Sequence, residues 1–174
     1  MSDFGKLYTL MQNAHKNSAL ENDNISSRFI KEMAIIGKSY TEAIAVAILS
    51  LGEVHAPVYD ARQVLFHTPD AAIKMALEDG LKIPGFGNSF YKESIDPAWD
   101  DFVVELNKEW PEYASRLNEV TEIINTYKQL KLYPNPAAFT AIVAEILNME
   151  PGTEISLFIL ARIFAWNQQW VDYK

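Results

Sequence analysis

Apolar residues recur along this chain at three- and four-residue steps, and no stretch shows sustained apolar-polar alternation, so the pattern predicts helices and no strands. From Ile25 to Ile36, the residues Phe29, Ile30, Met33 and Ile36 follow helical spacing, and Ser26 and Ser27 stand where they can cap the first turn. Thr41 to Leu51 differs: Ala43, Ala47 and Ser50 make a small-residue face while Ile44, Ile48 and Leu51 make an apolar one. A helix that is small or apolar all round is buried on every side, and in a chain this short a second subunit is a natural cover.

Proline and glycine punctuate the rest. Thr68-Pro69-Asp70 reads as a helix start, with Thr68 as cap, proline in the first turn and an acid at the positive helix end. That helix runs to Asp79 and ends at Gly80, a left-handed cap. A Pro/Gly loop follows from Ile83 to Gly87, Pro97 opens the next helical stretch, and Pro111 interrupts it before Tyr113 to Leu130 resumes. Tyr133-Pro134-Asn135-Pro136 breaks the chain again, because each proline disfavours helix in the residue before it. Ala137 to Leu147 and Glu154 to Trp170 are two amphipathic helices around a Pro151-Gly152 turn. There is no internal repeat or linker, so the expectation is one all-α domain spanning 1–174.

At 174 residues and 49% hydrophobic the chain can bury a substantial core. It has no cysteine, hence no disulfide framework or thiolate metal site, and no apolar run of bilayer length. Met1-Ser2-Asp3-Phe4-Gly5-Lys6 lacks the basic-then-apolar order of a secretion signal, so a cytoplasmic protein is expected. The formal charge of −8 is spread along the chain, which argues against nucleic-acid binding and requires any anionic ligand to be held by a local positive site. His15 and His67 lie far from any acid at metal-ligand spacing, so no metal is expected.

The stretch Leu81-Lys82-Ile83-Pro84-Gly85-Phe86-Gly87-Asn88, followed by Lys92 and Asp96-Pro97-Ala98, resembles the acyl-CoA loop of the citrate synthase family. Four further segments resemble that family in the right order: Asn24-Ile25-Ser26-Ser27-Arg28-Phe29, Ala43 to Pro57, Tyr133 to Thr140, and Phe158 to Trp166. The citrate-lyase-like half of ATP citrate lyase is similar in the same way. The resemblance implies an all-α citrate synthase-like helical domain, truncated to at most the later half of that family's length, with the Thr41 to Leu51 helix paired against its copy in a homodimer.

Carried over position by position, the resemblance implies that His55 matches the histidine that stabilises the enol of acetyl-CoA. Asn88 stands at the second catalytic histidine, Ala137 at the proton-abstracting aspartate, and Ala98 at a carboxylate-clamping arginine. Arg162 matches a second such arginine, and Glu21 falls nearest the citrate-binding histidine, where it would repel a dicarboxylate. Alanine has no proton acceptor, and a positioned acid-base group is worth about two to four orders of magnitude in rate. Asn88 can donate a hydrogen bond but cannot release a proton at neutral pH.

The loop can still bind. The resemblance gives its backbone to the adenine of CoA, Gly85 and Gly87 let a backbone approach a flat ring, and Lys82 and Lys92 flank it as phosphate partners. The expected ligand is CoA or an acyl-CoA; the expected role is binding, of that ligand or of a protein partner, without catalysis. The alternative is a short enzyme of altered chemistry in which Glu53, Asp60 or Asp23 supplies the base. Blander readings accompany each residue: Pro-Gly-Phe-Gly as an ordinary turn, His55 as a packing residue, and Arg162 in a structural salt bridge. Ser26 and Ser27 are explained by capping, Trp99, Trp110, Trp166 and Trp170 as core or interface aromatics, and Gln168, Gln169 and Asp172 as a surface helix end.

Overall fold

A computed structural model describes residues 3–52, 55–128 and 131–174. Among them there are nine α-helices and no strand, as the hydrophobic spacing requires: α1 Asp3–Glu21, α2 Ile25–Ile35, α3 Tyr40–Leu49, α4 Val58–Arg62, α5 Asp70–Glu78, α6 Asp100–Glu109, α7 Pro111–Lys128, α8 Pro136–Ile146 and α9 Ile155–Tyr173. A single π turn, Gln63–His67, extends α4, and a 3-10 turn, Pro97–Trp99, leads into α6. No helix among the described residues is long and apolar enough to cross a membrane.

The core sits around α8, whose residues from Ala137 through Ala144 are all buried because that stretch carries no charge on any face. Trp99 stacks on Phe139 with ring centroids 4.6 Å apart, and Phe102 meets both edge-on; such pairs add about 0.5–1.5 kcal/mol each beyond area burial. A smaller cluster, Ile30, Ala43, Ala47 and Trp166, joins α2, α3 and α9. The long α9 therefore ties the two together, packing against α1 and α8 as well as α2 and α3.

Several elements depart from the sequence expectation. The cap of α2 is Asn24, whose side chain accepts from the Ser27 N–H; Ser26 and Ser27 are buried within the first turn, because the chain enters the helix two to three residues before them. Likewise α5 begins at Asp70, since Pro69 is extended (ψ 142°) and Thr68 closes the preceding π turn instead of capping. Gln169 is buried, with its amide on the Ala19 carbonyl at 2.8 Å, so the end of α9 is anchored on that side. Ile36 is 65% exposed and lies beyond the buried face of α2. Gly80 does take the left-handed conformation (φ 75°) that ends α5.

Helix α3 buries only Ala43 and Ala47 within the chain. Leu49 is 82% exposed, and Ile48, Ile35 and Ile36 are also exposed on α3 and the end of α2. The apolar character seen all round this helix is thus covered on one side only.

Candidate functional site

A cleft of about 770 Å³ opens where the end of α1, the 55–57 loop, the 82–90 loop, the start of α8 and the middle of α9 meet. It is lined by Ser18, Asn22, Asn24, His55, Ala56, Pro57, residues 82–90, Leu132, Asn135, Pro136, Ala137, Phe158 and Arg162. The fold therefore gathers His55, Lys82, Ile83, Pro84, Gly85, Phe86, Gly87, Asn88, Ala137 and Arg162 from four separate segments. Lys92 is exposed and Ala98 packs against the core; neither lines the cleft. Glu21 is exposed at the end of α1 and also lies outside the lining, so the repulsion expected from it does not arise there. Asp23 is paired with Lys31 at 3.1 Å and, like Asp60, is absent from the lining; Glu53 falls outside the described residues.

The 82–90 loop is held by backbone chemistry. Gly87 N–H donates to the Tyr133 carbonyl at 2.8 Å, Asn135 N–H to the Gly85 carbonyl at 2.9 Å, and the Asn135 side-chain amide to the Gly87 carbonyl at 3.0 Å. Gly85 takes a φ of 85°, and a Cβ there would come within 2.9 Å of the Ala61 Cβ and 3.2 Å of the Ala138 Cβ. Glycine is required twice over, by the left-handed backbone and by the space. Asn88 turns its side-chain oxygen to the Phe90 N–H at 2.9 Å, which leaves its amide N–H groups as the donors for a ligand.

His55 Nε2 lies 3.3 Å from the Ser26 hydroxyl, which also reaches the Asn24 side-chain oxygen at 2.9 Å. That asparagine oxygen already accepts from the Ser27 N–H. Ser26 gives its single proton to that oxygen, so towards His55 it is the acceptor, and the neutral ring carries its proton on Nε2 and leaves Nδ1 as a lone pair. Only turning the Ser26 proton to His55 would move the ring proton to Nδ1 and make that nitrogen a donor. Burial, with the Arg162 charge adding to it, pulls His55 down to about 4, so it is neutral at pH 7. Ala56, next to it, holds a φ of 63°, a left-handed conformation that costs a non-glycine residue about 1–2 kcal/mol.

Arg162 is buried at the cleft floor. Its Nε donates to His15 Nδ1 at 3.1 Å, its guanidinium lies over the Phe158 ring, and its NH1 has no hydrogen-bond partner. Burial pulls it down to about 10, opposed by the Asp96 charge, which leaves it cationic at neutral pH. The structural salt bridge is not what the geometry provides: the side chain bonded to Arg162 is an imidazole. From sequence, His15 is weighed only as a metal ligand, with no acid at the required spacing, and no local signal marks its role here, since its partner lies 147 residues away.

His15 and His55 both favour the neutral form in the fold, His15 through burial and the Arg162 charge. The unfolded chain binds the extra protons as pH falls below 6.5, so stability is complete above that value and is lost on acidification. At about pH 5 the His55 contribution alone is up to about 2 kcal/mol. Urea unfolding at neutral and acid pH is expected to show this loss, reduced in His55→Asn; equal loss in the variant would disprove the assignment to His55.

Residues 27–174 match the family model for the citrate synthase C-terminal domain. No curated protein sequence matches the chain. Among solved structures it is similar to citryl-CoA lyase from Hydrogenobacter thermophilus, at 19% identity and a TM-score of 0.80 over 99% of this chain and 70% of that one. It is similar to ATP citrate lyase from Methanothrix soehngenii, solved with citrate and coenzyme A, at 15% identity and a TM-score of 0.75 over 96% of this chain and 30% of that one. Citrate synthase from Thermotoga maritima aligns at 20% identity and a TM-score of 0.72 over 97% of this chain and 48% of that one. The chain thus spans less than half the length of the last two, and these likenesses establish its fold.

Proposed function

Because the chain belongs to the citrate synthase family, we propose that its cleft binds a carboxylate-bearing acyl-CoA and that the protein works by binding rather than by carbon-carbon bond chemistry. One observation carries this reading: among the described residues no aspartate or glutamate lines the cleft, while Arg162 and Lys82 do. In a chain of charge −8 that is a local positive site. The Arg162 guanidinium is the carboxylate donor, Asn88 is a neutral donor for a carbonyl, His55 becomes one when its ring proton sits on Nδ1, and the Ile83 to Gly87 backbone with Lys82 takes the nucleotide end. Lys92, exposed beyond the lining, meets CoA phosphates only where the ligand extends past the cleft. No metal enters this scheme; no described cluster of three or more His, Cys, Asp or Glu has the arrangement to hold one.

We also infer that α3 meets a second copy of the chain through its exposed Ile48 and Leu49, since large apolar side chains left exposed on one helix are suited to an interface. The opposing reading, an enzyme using Glu53, Asp60 or Asp23 as base, loses two of its three candidates because Asp60 and Asp23 do not line the cleft, while Glu53 lies outside the described residues.

The test is a titration of the purified protein with CoA, acetyl-CoA and citrate by calorimetry and thermal melting, with sedimentation of the same samples. Ligand at a hundred times its dissociation constant is expected to stabilise the fold by about 2.7 kcal/mol, and Arg162→Met to abolish the citrate part. A flat melting curve with all three ligands disproves acyl-CoA binding; a monomer by sedimentation disproves the pairing.

A further inference from the structure

Inside the core, below the cleft floor, runs a line of polar groups whose hydrogen-bond directions are fixed from both ends. Arg162 Nε can only donate, so His15 Nδ1, 3.1 Å away, must present its lone pair. His15 is then a neutral imidazole carrying its proton on Nε2, which lies 2.8 Å from the Thr140 hydroxyl. Thr140 in turn donates to the Pro136 carbonyl at 2.7 Å, in the first turn of α8. Every donor in this line meets one acceptor, and both His15 and Thr140 are fully buried. His15 is further gripped edge-on by Trp99 and Phe158, with ring centroids 4.9 and 4.6 Å away.

This arrangement differs in kind from the usual way of holding a buried arginine. A carboxylate at position 15 would fix the guanidinium equally well but would cancel its charge. An imidazole held neutral fixes the same atom without adding a negative charge, so the carboxylate acting on the guanidinium is Asp96, which forms no ion pair with it, while NH1 remains without a partner. We propose that His15, on α1, is a positioning residue for the cleft: it holds Arg162 as a cation with no carboxylate bonded to it, whose remaining N–H donors are available to a ligand carboxylate. Thr140 sets the tautomer and so supports the same function. The inference deepens the anion-binding reading given above and rests on it for its ligand, but the state it assigns to His15 exists without ligand.

Two measurements on the full chain test it. In ligand-free protein at neutral pH, long-range proton-nitrogen spectra are expected to show His15 protonated on Nε2 and unprotonated on Nδ1, with a trans-hydrogen-bond coupling from Arg162 Nε–H. A proton on Nδ1, or a doubly protonated ring, overturns the proposal whatever the ligand. Citrate titrations then compare wild type with His15→Gln, which keeps an uncharged acceptor, and His15→Glu, which supplies a carboxylate. The glutamine variant is expected to bind within about threefold of wild type, and the glutamate variant about a hundredfold more weakly, while both keep the wild-type fold by circular dichroism. Undiminished binding by His15→Glu overturns the proposal. Should wild type itself not bind citrate, the binding reading fails, and the tautomer and coupling decide the state of His15 separately.

Discussion

Replacing Arg62 with methionine is expected to destabilise the protein by about 3–5 kcal/mol, the range for leaving one partner of a buried ion pair uncompensated. Arg62 Nε donates to Glu145 at 2.6 Å, and NH1 donates to both Glu154 at 2.7 Å and the Met149 carbonyl at 2.8 Å. Glu154 is fully buried and its second oxygen accepts from the Gly152 N–H at 2.8 Å. One guanidinium therefore ties α4 to the end of α8 and to the turn that starts α9. Without it Glu154 must take up a proton or draw in water. Urea unfolding will read the loss directly, and for a chain of this size the melting temperature should fall by on the order of 10 °C. Arg62→Met combined with Glu154→Gln should recover part of the loss, because the stranded charge is gone. A single variant less than about 1 kcal/mol below wild type would show the triad to be energetically idle. The effect reaches the cleft: Ala61, adjacent to Arg62, is the residue against which the Gly85 backbone is packed.

What the sequence made legible follows from how locally each signal acts. Gly80, Pro97, Pro111, Pro136 and the Pro151-Gly152 turn mark boundaries through their own backbone restrictions, and the helices end or begin beside them. The Ile83 to Gly87 loop was readable for the same reason, since its shape is written in two glycines and a proline. Helix α1 was not read, because its buried face runs through Leu7, Met11, Ala14, His15 and Ser18, where small and polar members dilute the apolar periodicity. The Arg62 triad and the Arg162–His15 contact join residues 83 to 147 positions apart, a separation at which no spacing rule operates. Family resemblance supplied Arg162 as a candidate; only the fold supplied its partner. Ser26 illustrates the converse case, a residue whose capping explanation was locally sufficient and spatially wrong, since its hydroxyl faces His55.

Placing a carboxylate at position 137 is expected to have the largest effect on chemistry. Ala137 lines the cleft in the first turn of α8, with its N–H on the Asn135 side chain at 2.9 Å. An aspartate there would meet two opposing influences: burial, which raises its proton affinity, and the positive end of α8, which favours its charge. The first makes it a base, and the second keeps it ionised enough to act as one. His55 is neutral, and it polarises the thioester carbonyl once Ser26 turns its proton from Asn24 to Nε2 and the ring proton moves to Nδ1. Wild type is expected to exchange the methyl protons of acetyl-CoA in deuterated water no faster than background, and Ala137→Asp about two to four orders of magnitude faster. The rate should return to background in Ala137→Asp with His55→Ala, because an unstabilised enolate gains nothing from the base. Condensation with oxaloacetate is not expected even then, since Asn88 cannot release the proton that bond formation needs. Wild-type exchange already equal to that of Ala137→Asp would mean that a base operates in the native cleft, and the binding-only reading would have to be abandoned.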